Sequence, residues 1–206
     1  MQKKIFSFIL SVVLIAGTNA CREQEYALPG TYTSVQDNGG GTGTVTWTAD
    51  KEYLLDGKVF VNDGQTLTIE PGTVIRANTG QGENASALIV ARGGKLIAEG
   101  TAEKPIIFTV EGDDLEGSVP LEANGLWGGV IILGEAPVNT PSNENMVEGI
   151  PADETRGLYG GNNEGDNSGI IKYVSIRHGG TRLGEGNEIN GLTLGGVGHG
   201  TTLEYV

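Results

Sequence analysis

The chain has 206 residues, 35 of them glycine, with 26 acids against 13 bases and a formal charge of −13. That balance argues against nucleic acid and against an anionic membrane surface as partners. One cysteine, Cys21, excludes an internal disulfide, and the length suits one domain with a sizeable core.

The first segment is not part of that domain. Lys3 and Lys4 precede the apolar run Ile5 to Ala16, which only Ser7 and Ser11 interrupt. The run is shorter than the roughly 20 residues a bilayer span needs. It reads as a secretory signal over residues 1–20. Cys21 stands directly at the expected cleavage point, and Ala20-Cys21 resembles the end of a lipobox. The expectation is cleavage before Cys21 and lipid attachment at Cys21, which would tie the protein to a membrane. An ordinary signal cut after Ala20, with Cys21 incidental, is the alternative, and Thr18 in place of the usual Leu favours it. No Asp follows Cys21, which by the usual sorting rule points to the outer membrane. Removing the signal takes Lys3 and Lys4 but no acid, so the charge goes from −13 to −15. Residues 21–43 carry Pro29-Gly30 and Asn38 to Gly43 with almost no apolar periodicity, and are expected to form a flexible tether.

From residue 44 to 206 the pattern is β. Thr44 to Thr48 alternates and is expected to be a capping strand. Residues 59–70 (VFVNDGQTLTIE) and 88–99 (LIVARGGKLIAE) align without a gap, 29 positions apart. Gly64 falls on Gly93, Leu67 on Leu96 and Glu70 on Glu99. A fixed period of this size marks stacked units that bury their apolar faces against one another. The strands are short, β-branched and cut by glycine, so the stacked unit is a coil of strand. The fold class expected is all-β, a right-handed parallel β-helix. Leu67, Ile69, Leu96, Ile106 and Phe108 are expected in one core, with Val59–Val61 stacked in parallel on Leu88–Val90. The rival is an antiparallel sandwich, because Asn62-Asp63-Gly64 is a good hairpin signal. Continuous apolar runs such as Leu88-Ile89-Val90 suit parallel strands covered on both faces better.

After Phe108 the period is lost. Glu111 to Gly125 reads as an acidic loop, Trp127 to Leu133 as a buried strand run, and Gly134 to Gly169 as a second long loop. Loops of that length are usually functional or mobile. Between Val110 and Ser168 stand twelve acids and one base, Arg156. Such a density of like charge predicts that residues 110–125 and 134–169 project into water and form one acidic surface. Strands return at Ile170 to Ile176 and Leu192 to Leu194. Leu203 to Val206 matches Ile171 to Val174 and stops mid-rung, which suggests the N-terminal part of a longer domain.

Catalytic signatures are sparse. There is no nucleophile elbow, Walker loop or paired-cysteine metal site. The Gly-rich stretch Gly39 to Gly43 lacks the flanking strand and helix of a phosphate loop. His178 and His199, each beside glycine, are expected in solvated turns. Trp127 is expected in the core, with sugar stacking as the other role. The acidic loops raise one metal hypothesis. Calcium takes about six to eight oxygen ligands from flexible loops. Asp113, Asp114 and Glu116 are candidate calcium ligands, with Gly161 to Asn167 as a second source. The basic candidates for lyase chemistry beside such a site are Lys172, Arg177 and Arg182.

The segments GQTLTIEPGTVIRA, ALIVARGGKLIAEGTAEKPIIFT, LWGGVIILGEAPVN, IIKYVSIRHGG and EINGLTLGGVG resemble uncharacterised outer-membrane lipoproteins of Bacteroidota-type bacteria. The acidic run Arg22-Glu23-Gln24-Glu25 resembles their surface-export signal. The resemblance covers about residues 44–206 and implies a right-handed parallel β-helix facing the cell exterior, with no established activity and no cofactor. Two functions are expected from these observations. The first is a non-catalytic, surface-displayed structural or binding β-helix for an extracellular glycan or protein. The second is a polysaccharide lyase or hydrolase of the β-helix type, with calcium as its cofactor. The enzyme would need carboxylates and a Lys or Arg at matching positions of successive rungs.

Overall fold

The computed structural model describes residues 32–184 and 187–206, so the signal segment and Cys21 lie outside the described residues. Strands β1 (Thr33–Val35), β2 (Val45–Trp47) and β3 (Glu52–Leu55) lead in. One full rung follows as β4 (Lys58–Val61), β5 (Thr66–Ile69) and β6 (Val74–Ala77). The next is β7 (Ala87–Val90), β8 (Lys95–Glu99) and β9 (Ile106–Val110). The third begins with β10 (Gly129–Leu133) and detours through an antiparallel hairpin, β11 (Glu144–Met146) and β12 (Leu158–Gly160). It resumes as β13 (Gly169–Lys172) and β14 (Val174–Ile176). A short hairpin, β15 (Arg182–Gly184) with β16 (Asn187–Glu188), precedes β17 (Leu192–Gly195) and β18 (Thr202–Glu204).

Three parallel sheets wall the coil. Sheet one is β1-β3-β6-β9-β14, sheet two β18-β13-β8-β5-β2, and sheet three β17-β10-β7-β4. Outside the two hairpins every strand pairing is parallel. This is a parallel β-helix. The sequence repeat is its register: Val59 pairs with Leu88 and Leu67 with Leu96. Inward apolar positions stack from rung to rung, and Leu67, Ile69, Leu96, Ile106 and Phe108 share one buried core with Leu55, Ile75 and Trp127. The apolar stacking gives each rung its burial and the ladder satisfies its backbone, which is why the strands need only three to five residues. Trp47, in the end strand β2 of sheet two and stacked on Tyr53 at 4.8 Å, is buried in the core where a capping strand was expected.

Asn62-Asp63-Gly64 is not a hairpin. It turns the chain from sheet three into sheet two, with Gly64 at φ 74°, and Gly93 repeats the turn one rung on at φ 76°. The Gly64 amide donates to the Gly93 carbonyl, so even the corners stack. At the other corner, Ile170 to Ile176 is not one strand. Tyr173, at φ 48°, splits it between two sheets.

Three further expectations change. Residues 33–43 are not a tether: β1 pairs with β3, and the Asp37 side chain is 2% exposed against Arg156. The 134–169 segment is not structureless, since it holds the β11–β12 hairpin. The two long loops do not form one surface. Residues 111–128 run from sheet one to sheet three, and 134–168 from sheet three to sheet two. The first instead lies beside the 177–181 turn of the next rung, where the Gly125 and Leu126 amides donate to the Gly179 and His178 carbonyls.

Candidate functional site

The corner where sheet three turns into sheet two carries a cleft of about 380 Å³, lined by Asp63, Ala91, Arg92, Glu135, Thr155, Arg156 and Leu158. That volume is within the range of ligand clefts, about 300–1,000 Å³. Its floor is the stacked corners of successive rungs. Asp63 sits on one, Ala91 and Arg92 on the next, and Glu135 follows the third-rung strand β10. Its wall is the 134–168 excursion.

Two arginines hold that wall. Arg92 Nη1 donates to Glu144 Oε1 at 2.5 Å and to the Gly160 carbonyl at 2.9 Å, fixing both strands of the β11–β12 hairpin. Arg156 Nη1 donates to Asp37 Oδ2 at 2.6 Å, and its Nη2 to Glu154 Oε2 at 2.5 Å. The guanidinium also lies over the Phe60 ring, 3.9 Å from its centroid. This adds a cation–π contact to the ion pairs. The Glu154 hydrogen bond leads the causes that push the Arg156 pKa above its ordinary value. The same bond leads those that hold the Glu154 carboxyl below its own. Arg156 therefore joins the N-terminal segment, the coil and the excursion. The twelve acids around it hide one structural cation whose charge Asp37 and Glu154 balance.

The cleft itself presents both signs. Asp63 lies over Gly93, where an added Cβ would meet Asp63 Oδ1, and the φ of 76° at this corner favours glycine. Glu135 has Asn163 Nδ2 at 3.5 Å, the limit of a hydrogen bond. Among the described residues Arg92 bonds Glu144 and Gly160 through Nη1, which leaves Nε and Nη2 for a ligand. Thr155 adds a hydroxyl. Carboxylates that accept, guanidinium N–H groups that donate and a hydroxyl that does both suit a neutral, many-hydroxyl ligand. Sequence reading missed this site. Its one signal was Arg156, the lone base between Val110 and Ser168.

The residues singled out from sequence fall elsewhere. Asp113 is 2% exposed, not solvated. Its Oδ2 accepts from Thr109 Oγ1 at 2.6 Å and its Oδ1 from the Leu115 amide at 2.9 Å. Its carbonyl accepts from buried Arg76. Asp114 Oδ1 accepts from the Glu116 and Ser118 amides, and these backbone bonds, Ser118 first, lower its pKa. Glu116 is exposed. Among the described residues no group of three His, Cys, Asp or Glu side chains is placed to hold a metal ion. The second loop is no better placed: Asp166 is buried, its Oδ2 accepting from Ser168 Oγ and the Gly198 amide. Buried carboxylates persist because hydrogen bonds replace their lost water.

His178 is a clamp, not a solvated turn residue. Its Nδ1 donates to the Ala123 carbonyl at 2.6 Å and its Nε2 lies 3.8 Å from Asp113 Oδ2. His199 is exposed and belongs to a different corner. Trp127 is fully buried and donates Nε1 to the Arg177 carbonyl, a core role. One charged column does run along sheet two: Glu99 pairs with Lys172, which pairs with Glu204. Lys172 Nζ lies 2.8 Å from Glu204 Oε2, and that hydrogen bond is the main cause raising its pKa.

A coil of parallel strands whose corners carry loops and clefts defines a β-helix domain. The chain matches the family model described as a pectate-lyase-like beta helix domain over residues 39–206, and it belongs to that family. No curated protein and no solved structure gives a significant match.

Proposed function

We propose that this protein is a lipid-anchored, surface-displayed β-helix that binds a neutral glycan without chemically altering it. The observation that carries the reading is the cleft beneath the 134–168 excursion. It is built on stacked corners, bolted by Arg92 and Arg156, and lined by polar groups of both signs. Ligand hydroxyls donate to Asp63 and Glu135 and accept from Arg92. The Arg156 charge is already balanced, so an anionic sugar gains nothing from it. Cys21, at the end of a signal-like segment, supplies the anchor in this reading.

The test has two parts. Glycan-array screening of the wild type should return neutral oligosaccharides, and Asp63→Ala or Glu135→Ala should abolish the signal while the fold persists. Retention of binding in both variants would refute the site. Incorporation of a fatty-acid analogue should be lost in Cys21→Ser, and an unlabelled wild type would remove the anchor.

A second reading, polysaccharide cleavage, draws on the Glu99–Lys172–Glu204 column, which has carboxylates and a lysine on successive rungs. Glu204 holds Lys172 protonated, which suits charge stabilisation and not proton abstraction. Release of unsaturated or reducing ends by the wild type, and its loss in Lys172→Ala, would favour this reading over the first.

A further inference from the structure

A second cleft lies at a different corner, on the outer side of β14, and has a distinct chemistry. It encloses about 510 Å³ between β14 and the 111–121 loop, lined among others by Leu115, Val119, Leu121, Ser175, Ile176 and Arg177. Arg76, Arg92 and Arg156 each hold a carboxylate within 4.0 Å. Arg177 holds none among the described residues. Its Nε donates to Ser175 Oγ at 3.1 Å. That contact orients the fork and leaves both Nη groups and the Ser175 hydroxyl proton available. Ser175 and Arg177 alternate on the same outward face, two residues apart.

The rim is apolar. Leu121 is 91% exposed, the most exposed large hydrophobic side chain among the described residues, and Leu115 and Val119 stand on the same loop. The loop is not slack. His178 donates to Ala123 at its end and lies 3.8 Å from Asp113 at its beginning, and Asp114 closes an internal turn on Ser118. The exposed Leu121 therefore stands on an ordered loop that lines the same cleft as Arg177. Asp113 also lines the cleft but forms no ion pair with Arg177; its oxygens accept from the Thr109 hydroxyl and the Leu115 amide.

We infer that this cleft binds a monocarboxylate with a branched apolar body. The carboxylate pairs with the planar Arg177 fork and accepts from Ser175, and the body covers Leu121 and Val119. A guanidinium fork matches a carboxylate in two parallel hydrogen bonds. A dianion is disfavoured, because Glu111, Asp113, Asp114 and Glu116 crowd the same loop in a chain of charge −13. Apolar contact is needed alongside the charge, since one half-exposed ion pair contributes little alone.

The test is isothermal titration of the full chain with 4-methylpentanoate, its neutral amide and acetate, at fixed ionic strength. Saturable binding of 4-methylpentanoate is expected, with the amide and acetate each weaker by about tenfold or more. Arg177→Gln should weaken the acid to the level of the amide. Leu121→Ser should weaken it about tenfold and leave acetate unchanged. Leu121 is a surface side chain, so that variant remains informative if Arg177→Gln melts early. No saturable binding of 4-methylpentanoate, an amide that binds as tightly as the acid, or a Leu121→Ser variant that binds like wild type would each overturn the inference.

Discussion

Leu96→Ala is the sharpest test of the stacked core. Leu96 is 1% exposed in β8, over Leu67 of the rung before it. Its partner on the next rung is Gly169, which has no side chain to move into a vacated space. Gly169 is also fixed, because an added Cβ would lie 2.0 Å from the Leu96 carbonyl oxygen. Removing three carbons at about 0.8 kcal/mol each costs about 2.4 kcal/mol in transfer free energy. A cavity that the neighbours cannot fill brings the total towards about 4–5 kcal/mol, the upper part of the range for such truncations. At about 2–4 °C per kcal/mol for a domain of this size, the melting temperature should fall by about 8–20 °C. Ile97→Ala, one residue on and facing out, is the control and should cost about 1 kcal/mol or less. Paired thermal and urea melts measure both. A Leu96→Ala penalty no larger than that of Ile97→Ala would refute the inward stacking of β5, β8 and β13.

Two other outcomes follow from the electrostatics. The Glu154 carboxyl is held below its ordinary pKa chiefly by its hydrogen bond from Arg156. Its contribution is therefore present above the unfolded value of about 4.3 and is lost as pH falls through the lower folded value. The melting temperature should fall as the medium is acidified below about pH 4.3, and less steeply in Arg156→Gln; equal slopes would refute that coupling. Calcium, compared with chelator at matched ionic strength, should leave the melt of the wild type unchanged, because Asp113 and Asp114 already accept loop hydrogen bonds. A stabilisation near the ~2.7 kcal/mol expected at a hundredfold excess over Kd would reinstate those carboxylates as ligands.

The sequence by itself determined the coil. Repetition of residue type at one offset carries register directly, because stacked rungs bury like against like: Val59 on Leu88 and Leu67 on Leu96 are a sequence alignment and a strand pairing at once. Continuous apolar runs likewise declared parallel strands covered on both faces. The tertiary structure decided what lies between the rungs. Whether Asp113 faces water depended on Arg76, 37 positions earlier, and Thr109 beside it. Whether residues 33–43 were tether or fold depended on Arg156, 119 positions after Asp37. The break at Tyr173 needed a left-handed backbone at a tyrosine, which no residue preference announces. Both clefts arise where an excursion folds back on corners from other rungs. Their residues, Asp63 with Thr155 or Leu121 with Arg177, share no spacing that a linear reading can detect. Side-chain periodicity is local and so is written in the chain, whereas burial of a charge is set by partners that only the closed coil brings within reach.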